Sequence, residues 1–502
     1  MKKKNAFNLV LSLILTLTVC LSTASCSMYK GAAENDAMAP GSYGNINTEE
    51  YTEINESGFV NTAEKETSYF SIDANTASYP NLRSLIAHKY NIPKDAVRIE
   101  EMLNYFDYDY KAPENGDILS LTSSIFDNPY NSETKLLTVG LAAEEVKLSD
   151  VKNNLVFLID VSGSMDSYDK LPLVQSAFML LTESLNPEDR ISIVTYAGAD
   201  SVALSGAYGY EKNRIMNIIE DLTAGGSTAG AEGIETAYEL ARQYFIEGGN
   251  NRVILATDGD FNVGLRKTQD LEQFISAKRE SGVYFSVYGF GRENIKSEKM
   301  EALALAGNGV YSYIDSVNEA RRALVTDIGG SLVTVAKDVK AGITFNSEVV
   351  ESYRLIGYEN KLLTEEEFED SSTDAGEIGS GHTVTVVYEI KTKEGTTLSD
   401  NEKFADVTVK YKPTENAGFE GDAERSAVLG ITSESYNEVP TENDLFVASV
   451  IEFGLILRNS EYKANANLES LAARLEQLDL ANDEFKSEFR DLVKEYQSNY
   501  KK

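Results

Sequence analysis

Leu155-Val156-Phe157-Leu158-Ile159-Asp160-Val161-Ser162-Gly163-Ser164 is the stretch from which the fold is read. Its five leading apolar residues form a run too short for a helix and apolar at every position, which predicts a strand buried on both faces. The run stops at Asp160. Asp160, Ser162 and Ser164 then alternate with small residues, so three side-chain oxygens can converge in one tight loop. In open α/β sheets ligands bind at the carboxyl ends of the strands, and this loop stands at such an end.

Working outward, similar apolar runs recur at 191–196, 253–256, 283–288 and 310–314. Amphipathic faces separate them: Leu173, Phe178 and Leu181, then Ile215, Ile218 and Ile219, then Ala237, Leu240, Ala241 and Tyr244. Buried strands alternating with helices predict a doubly wound, mostly parallel α/β domain over 150–330. Val202-Ala203-Leu204, after a tight turn, reads as its one antiparallel edge strand. A second strand ends in Ala256-Thr257-Asp258-Gly259, which brings another carboxylate to the same sheet edge. Gly225-Gly226-Ser227-Thr228 lies between the two strands in sequence and opens a helix. Two carboxylates and three hydroxyls make a hard, all-oxygen set suited to Mg²⁺ or Mn²⁺. Asp260 reads as an outer group supporting it.

The flanks change character. Strand patterns over 116–148 and 331–415 predict a β-sandwich into which the α/β domain is inserted. Residues 67–115 read as a helical region, with Ile99, Met102, Leu103 and Phe106 on one face. Residues 416–502 end in helices with apolar stripes such as Phe446, Val450, Phe453 and Leu457. At 502 residues the chain is long enough for about three domains.

The N-terminus predicts export. Lys2, Lys3 and Lys4 precede an uncharged run over 6–21, so 1–25 reads as a signal peptide. Thr23-Ala24-Ser25-Cys26 resembles a bacterial lipobox, with Thr23 where an aliphatic residue usually stands. Cys26 would then be lipidated and begin the mature chain, anchored in a bilayer. Residues 26–66, poor in apolar periodicity, read as a flexible stalk. Cys26 would be the single cysteine remaining, so no disulfide forms within the chain.

Charge and composition exclude several functions. With 46 Lys and Arg against 80 Asp and Glu, the net charge of −34 opposes nucleic acid binding. Gly225-Gly226-Ser227-Thr228-Ala229 misses the last glycine of a nucleophile elbow, and His88 and His382 both fall outside the α/β segment. The chain has no phosphate-binding G-x-x-x-x-G-K-[ST] motif, and its first α/β strand is not followed by G-x-G-x-x-G.

Asp160-x-Ser162-x-Ser164, with Thr228 and Asp258, resembles the complete metal-ion-dependent adhesion site of von Willebrand factor type A domains. Tyr288-Gly289-Phe290-Gly291 and Leu303-Ala304-x-x-Gly307-Asn308-Gly309 extend the likeness. Outside that block, Phe70-Ser71-Ile72-Asp73-x-Asn75-Thr76-Ala77-Ser78-Tyr79 and Arg354-Leu355-Ile356-Gly357-Tyr358-Glu359-Asn360 resemble bacterial YfbK-like lipoproteins. The resemblance implies that Ser162 and Ser164 coordinate the ion directly, Thr228 directly or through water, and Asp160 and Asp258 largely through water. One coordination position would remain for an Asp or Glu of a protein partner. It implies a non-catalytic adhesion or assembly protein outside the cytoplasm, lipid-anchored to a bacterial cell membrane. The alternatives are an envelope scaffold with a purely stabilising metal and, further off, a Mg²⁺-dependent hydrolase.

Overall fold

The computed structural model describes residues 50–500 except 73, 147–150, 198–199, 227–229, 260–267, 293–295, 327–332, 396–401, 420 and 422. The inserted domain is built on six strands: β1 (Asn153–Asp160), β2 (Arg190–Tyr196), β3 (Asp200–Tyr208), β4 (Asn250–Thr257), β5 (Val283–Phe290) and β6 (Tyr311–Ile314). They lie in the order β6-β5-β4-β1-β2-β3, all parallel except β3, which runs antiparallel at the edge. Helices α1 (Leu171–Ser184), α2 (Lys212–Glu220), α3 (Gly230–Gln243), α4 (Thr268–Arg279) and α5 (Ser297–Ala306) lie between them in the chain, and α6 (Val317–Arg321) follows β6.

The alternation within β1 sorts its side chains into two cores. Leu155, Phe157 and Ile159 join Phe178, Leu181 and Ile215 on one face, while Val156 and Leu158 join Ile234, Tyr238 and Leu303 on the other. Phe157 stacks on Phe178 with ring centroids 4.3 Å apart. Each such fully buried side chain contributes roughly 1.5–3 kcal/mol relative to exposure, which is why an unbroken apolar run forms the central strand.

The α/β domain is inserted in a β-sandwich. The chain leaves one sheet at the end of Lys135–Ala143 and enters the other at Thr334–Phe345. The first sheet also holds Leu119–Asp127, Val350–Ile356 and Thr383–Thr392, and the second Lys403–Pro413 and Gly376–Gly379. Phe345 of the second sheet stacks on Tyr353 of the first at 4.3 Å, across the sandwich core. A separate core joins helices Ser78–Ala87 and Ile99–Asn104 to the C-terminal helices Glu442–Arg458, Leu468–Leu475 and Glu484–Tyr500. Phe106 sits at its centre, with Phe446 and Phe489 at 5.0 and 5.5 Å.

Two segment readings need correction. The stalk expected over 26–66 does not extend through its last part: Val60–Asn61 pairs with Val350–Ile356, Thr62 Oγ1 donates to the Val350 carbonyl at 2.7 Å, and Ile54 is buried. Isolated apolar residues meeting a distant strand leave no periodicity to detect. The sandwich also continues past 415, since Arg425–Thr432 pairs with Lys403–Pro413 at the sheet edge. That strand has its large side chain Val428 exposed, so it lacks the inward pattern of a covered strand. The signal segment, Cys26 and the stalk up to residue 49 lie outside the described residues. Among the described residues no helix is long and apolar enough to cross a membrane.

Candidate metal centre

The carboxyl ends of β1 and β4 are neighbours, because Ile159 pairs with Ala256 in parallel register. Asp160 closes β1 and Asp258 follows β4, so two carboxylates meet at one sheet edge, both with no solvent exposure. The loop after Asp160 turns back tightly. Ser162 N donates to Asp160 Oδ1 at 2.8 Å, and the hydroxyls of Ser162 and Ser164 stand 3.0 Å apart. Ser162 is buried and Ser164 exposed, so this pair of hydroxyls leads from the sheet edge toward solvent.

The glycine loop is clasped against this turn. Gly225 N donates to the Val161 carbonyl at 2.7 Å, and Gly163 N donates to the Gly226 carbonyl at 3.1 Å. Gly226 has φ +88°, and a Cβ there would fall 2.9 Å from the Ala197 carbonyl oxygen, so only glycine fits without movement. Thr228 and Asp260 lie outside the described residues. Asp160, Ser162, Ser164 and Asp258 are gathered at the predicted sheet edge.

Burial pushes the Asp160 carboxyl up to about 6. Hydrogen bonding to Ser162 opposes that rise, while the neighbouring Asp258 charge adds to it. Asp160 Oδ2 is buried and makes no hydrogen bond of good geometry, although the Tyr196 phenol approaches Asp160 closely enough to act as a further donor. A buried carboxylate oxygen without a well-formed partner is costly, and a cation or its bound water would satisfy it. The donor set fits a hard divalent ion: hydroxyls and carboxylates, with no sulfur or imidazole. Among the described residues no three of His, Cys, Asp or Glu converge, so a centre here rests on two carboxylates with serine hydroxyls.

Lys170 and Tyr196 belong to this site and are not singled out by the motif. Lys170 Nζ donates to Asp258 Oδ2 at 2.8 Å and to the Ser164 carbonyl at 2.9 Å. Its signal in the sequence is faint: a cation placed just before α1, at a helix end whose dipole disfavours positive charge. His88 lies just beyond the helix Ser78–Ala87 and His382 just before the strand Thr383–Thr392, both outside the α/β domain.

Three family models match the chain. One described as von Willebrand factor type A domain covers residues 154–326. Another, described as von Willebrand factor, covers 45–138, and the third, uncharacterized protein YfbK, C-terminal, covers 330–498. The uncharacterized protein YfbK of Escherichia coli K12 is 37% identical over 450 residues, spanning 85% of this chain and 77% of that protein. Inter-alpha-trypsin inhibitor heavy chain H3 of Homo sapiens is 27% identical over 169 residues, 32% of this chain and 18% of its own. A solved von Willebrand factor type A protein from Catenulispora acidiphila is 16% identical, covering 78% of this chain and 91% of its own with a TM-score of 0.42.

Proposed function

The chain belongs to the YfbK family, built around a von Willebrand factor type A domain, and from that premise we propose that it is a non-catalytic recognition protein of the bacterial cell envelope. Its metal centre binds Mg²⁺ or Mn²⁺ and, through the ion, an Asp or Glu side chain of a protein partner. Type A domains serve adhesion and protein interaction.

The observation that supports this reading is the convergence of Asp160, Ser162, Ser164 and Asp258, with the two hydroxyls 3.0 Å apart at the opening of the site. Ser162 and Ser164 would hold the ion directly, with Thr228 completing the set. Asp160 and Asp258 would orient its waters and balance its charge. Two carboxylates, one of them already paired with Lys170, do not over-neutralise a divalent ion, which therefore retains affinity for a third carboxylate from outside. Metal-assisted hydrolysis would need a general base beside the ion. Asp160 and Asp258 would serve the ion itself, and each already accepts a hydrogen bond, Asp160 from the Ser162 amide and Asp258 from the Lys170 ammonium. The same Lys170 pair weighs against a metal needed only for folding, since Asp258 is balanced by the protein itself. Lipidation at Cys26 would tether the chain to a bacterial cell membrane, and labelled palmitate incorporation lost in Cys26→Ser is the expected result.

Capture of envelope proteins on the immobilised chain tests the recognition reading. A partner retained in Mg²⁺, and lost both in chelator and with a folded Asp160→Ala variant, is the expected outcome. The same proteins held in all three arms would contradict recognition through the metal.

A further inference from the structure

We propose that Lys170 is a resident counter-ion of the metal centre, which makes divalent-ion binding and acidic-ligand binding depend on each other. The inference rests on the reading of Asp160, Ser162, Ser164 and Asp258 as a divalent-ion site and adds to it a regulator from the same chain.

Three parts of the domain hold this lysine in place. Its side chain is about nine-tenths buried, and its ammonium bridges Asp258 Oδ2 and the Ser164 carbonyl at 2.8 and 2.9 Å. It therefore ties the carboxylate after β4 to the loop after β1. Its stem runs across Gly291, just beyond β5. A Cβ on Gly291 would fall 2.4 Å from Lys170 Cγ and 2.6 Å from Cε. Gly291 is itself fixed by the Tyr313 hydroxyl, which donates to its carbonyl at 2.9 Å. The position just before α1 disfavours a cation. The favourable contact that offsets this is the Asp258 carboxylate.

Asp160 and Asp258 with Lys170 carry a single net negative charge, and a divalent ion turns the group singly positive. Beside carboxylates that are themselves buried, that surplus opposes the ion and favours an incoming anion. One carboxylate from a partner restores neutrality. Ion and carboxylate therefore strengthen each other's binding, and the coupling is reciprocal. Without the ammonium, two carboxylates alone neutralise the ion, and the acidic ligand gains no such advantage. The lysine also holds Asp258 and the serine loop together when no ion is bound.

Calorimetric titration of Mg²⁺ into the metal-stripped full chain, in acetate and in chloride of equal ionic strength, tests the proposal on wild type and Lys170→Met. Wild type should bind Mg²⁺ more tightly in acetate than in chloride. Lys170→Met should bind roughly tenfold or more tightly in chloride and gain little from acetate. Lys170→Gln, which keeps a neutral donor, should shift the same way and separates charge from packing should the methionine variant fail to fold. Wild-type binding with equal affinity in the variants, or an equal acetate gain in all, overturns the inference and leaves the metal site standing. Binding by the variants in both salts, with wild type binding only in acetate, supports it. No binding in any of the proteins overturns both readings.

Discussion

At the residue scale, the chain keeps several carboxylates where water cannot reach them, and each has a different remedy. Asp258 has Lys170. Glu319 has Arg322 and Arg83, whose charges outweigh the burial that would raise it and hold its carboxyl below the ordinary range. Glu100 is less well provided. Its Oε2 is buried without a hydrogen bond, against Gly357, whose φ of +78° and lack of a side chain allow the approach. Burial and the nearby Glu359 charge push it up to about 7, with Arg98 and Arg458 opposing. The folded protein thus binds this proton more tightly than the unfolded chain does. Between about pH 4.5 and pH 7 stability from this group falls as pH rises, and its full cost is present above about pH 7. Glu100→Gln should therefore flatten the loss of melting temperature between about pH 5 and pH 8. Parallel profiles for the two proteins would contradict the assignment.

At the scale of elements, what could be read in the sequence depended on how local the cause was. The run over 155–159 is apolar at every position because both faces of β1 are covered, so its type and direction follow from ten residues of text. The spacing of Asp160, Ser162 and Ser164 is equally local, and their meeting with Asp258 follows from parallel strand order. Lys170 was not legible, because its partner lies on another strand and nothing in the spacing joins the two. Val60–Asn61 is hidden for a similar reason: two residues pair with a strand far along the chain. The edge strand Arg425–Thr432 shows how exposure blurs a pattern, since only Ile431 is buried in it. By contrast, Glu365, Glu366 and Glu367 are exposed and open a short helix, Glu365–Glu369, capped reciprocally by Thr364 and Glu367.

At the scale of the whole molecule, the inserted domain is attached through ionic contacts as well as through its two chain crossings. Arg83, on the helix Ser78–Ala87, binds Asp315 Oδ1 at 2.5 Å and Glu319 Oε2 at 3.0 Å, at the last helix of the α/β domain. The same guanidinium reaches Glu488 of the C-terminal helix at 2.6 Å. One side chain therefore joins three parts of the fold. Removing it leaves Asp315 and Glu319 short of a partner in a buried setting, a loss on the order of 3 kcal/mol. Arg83→Met should lower the denaturant midpoint accordingly, and an unchanged midpoint would show that the network is not holding the parts together. This attachment presents the edge carrying Asp160 and Asp258 on a scaffold shared by both ends of the chain. An acidic molecule of net charge −34 also gathers divalent cations near its surface, which favours loading of such a site.

The central claim is that Asp160, Ser162, Ser164 and Asp258, with Thr228, hold one divalent ion. Calorimetric titration of Mg²⁺ into the metal-stripped chain, beside Asp160→Ala, tests it most directly. The account predicts one ion bound per chain and no binding by the folded variant. Absence of binding by wild type, in acetate as in chloride and with Mn²⁺ as with Mg²⁺, would contradict it.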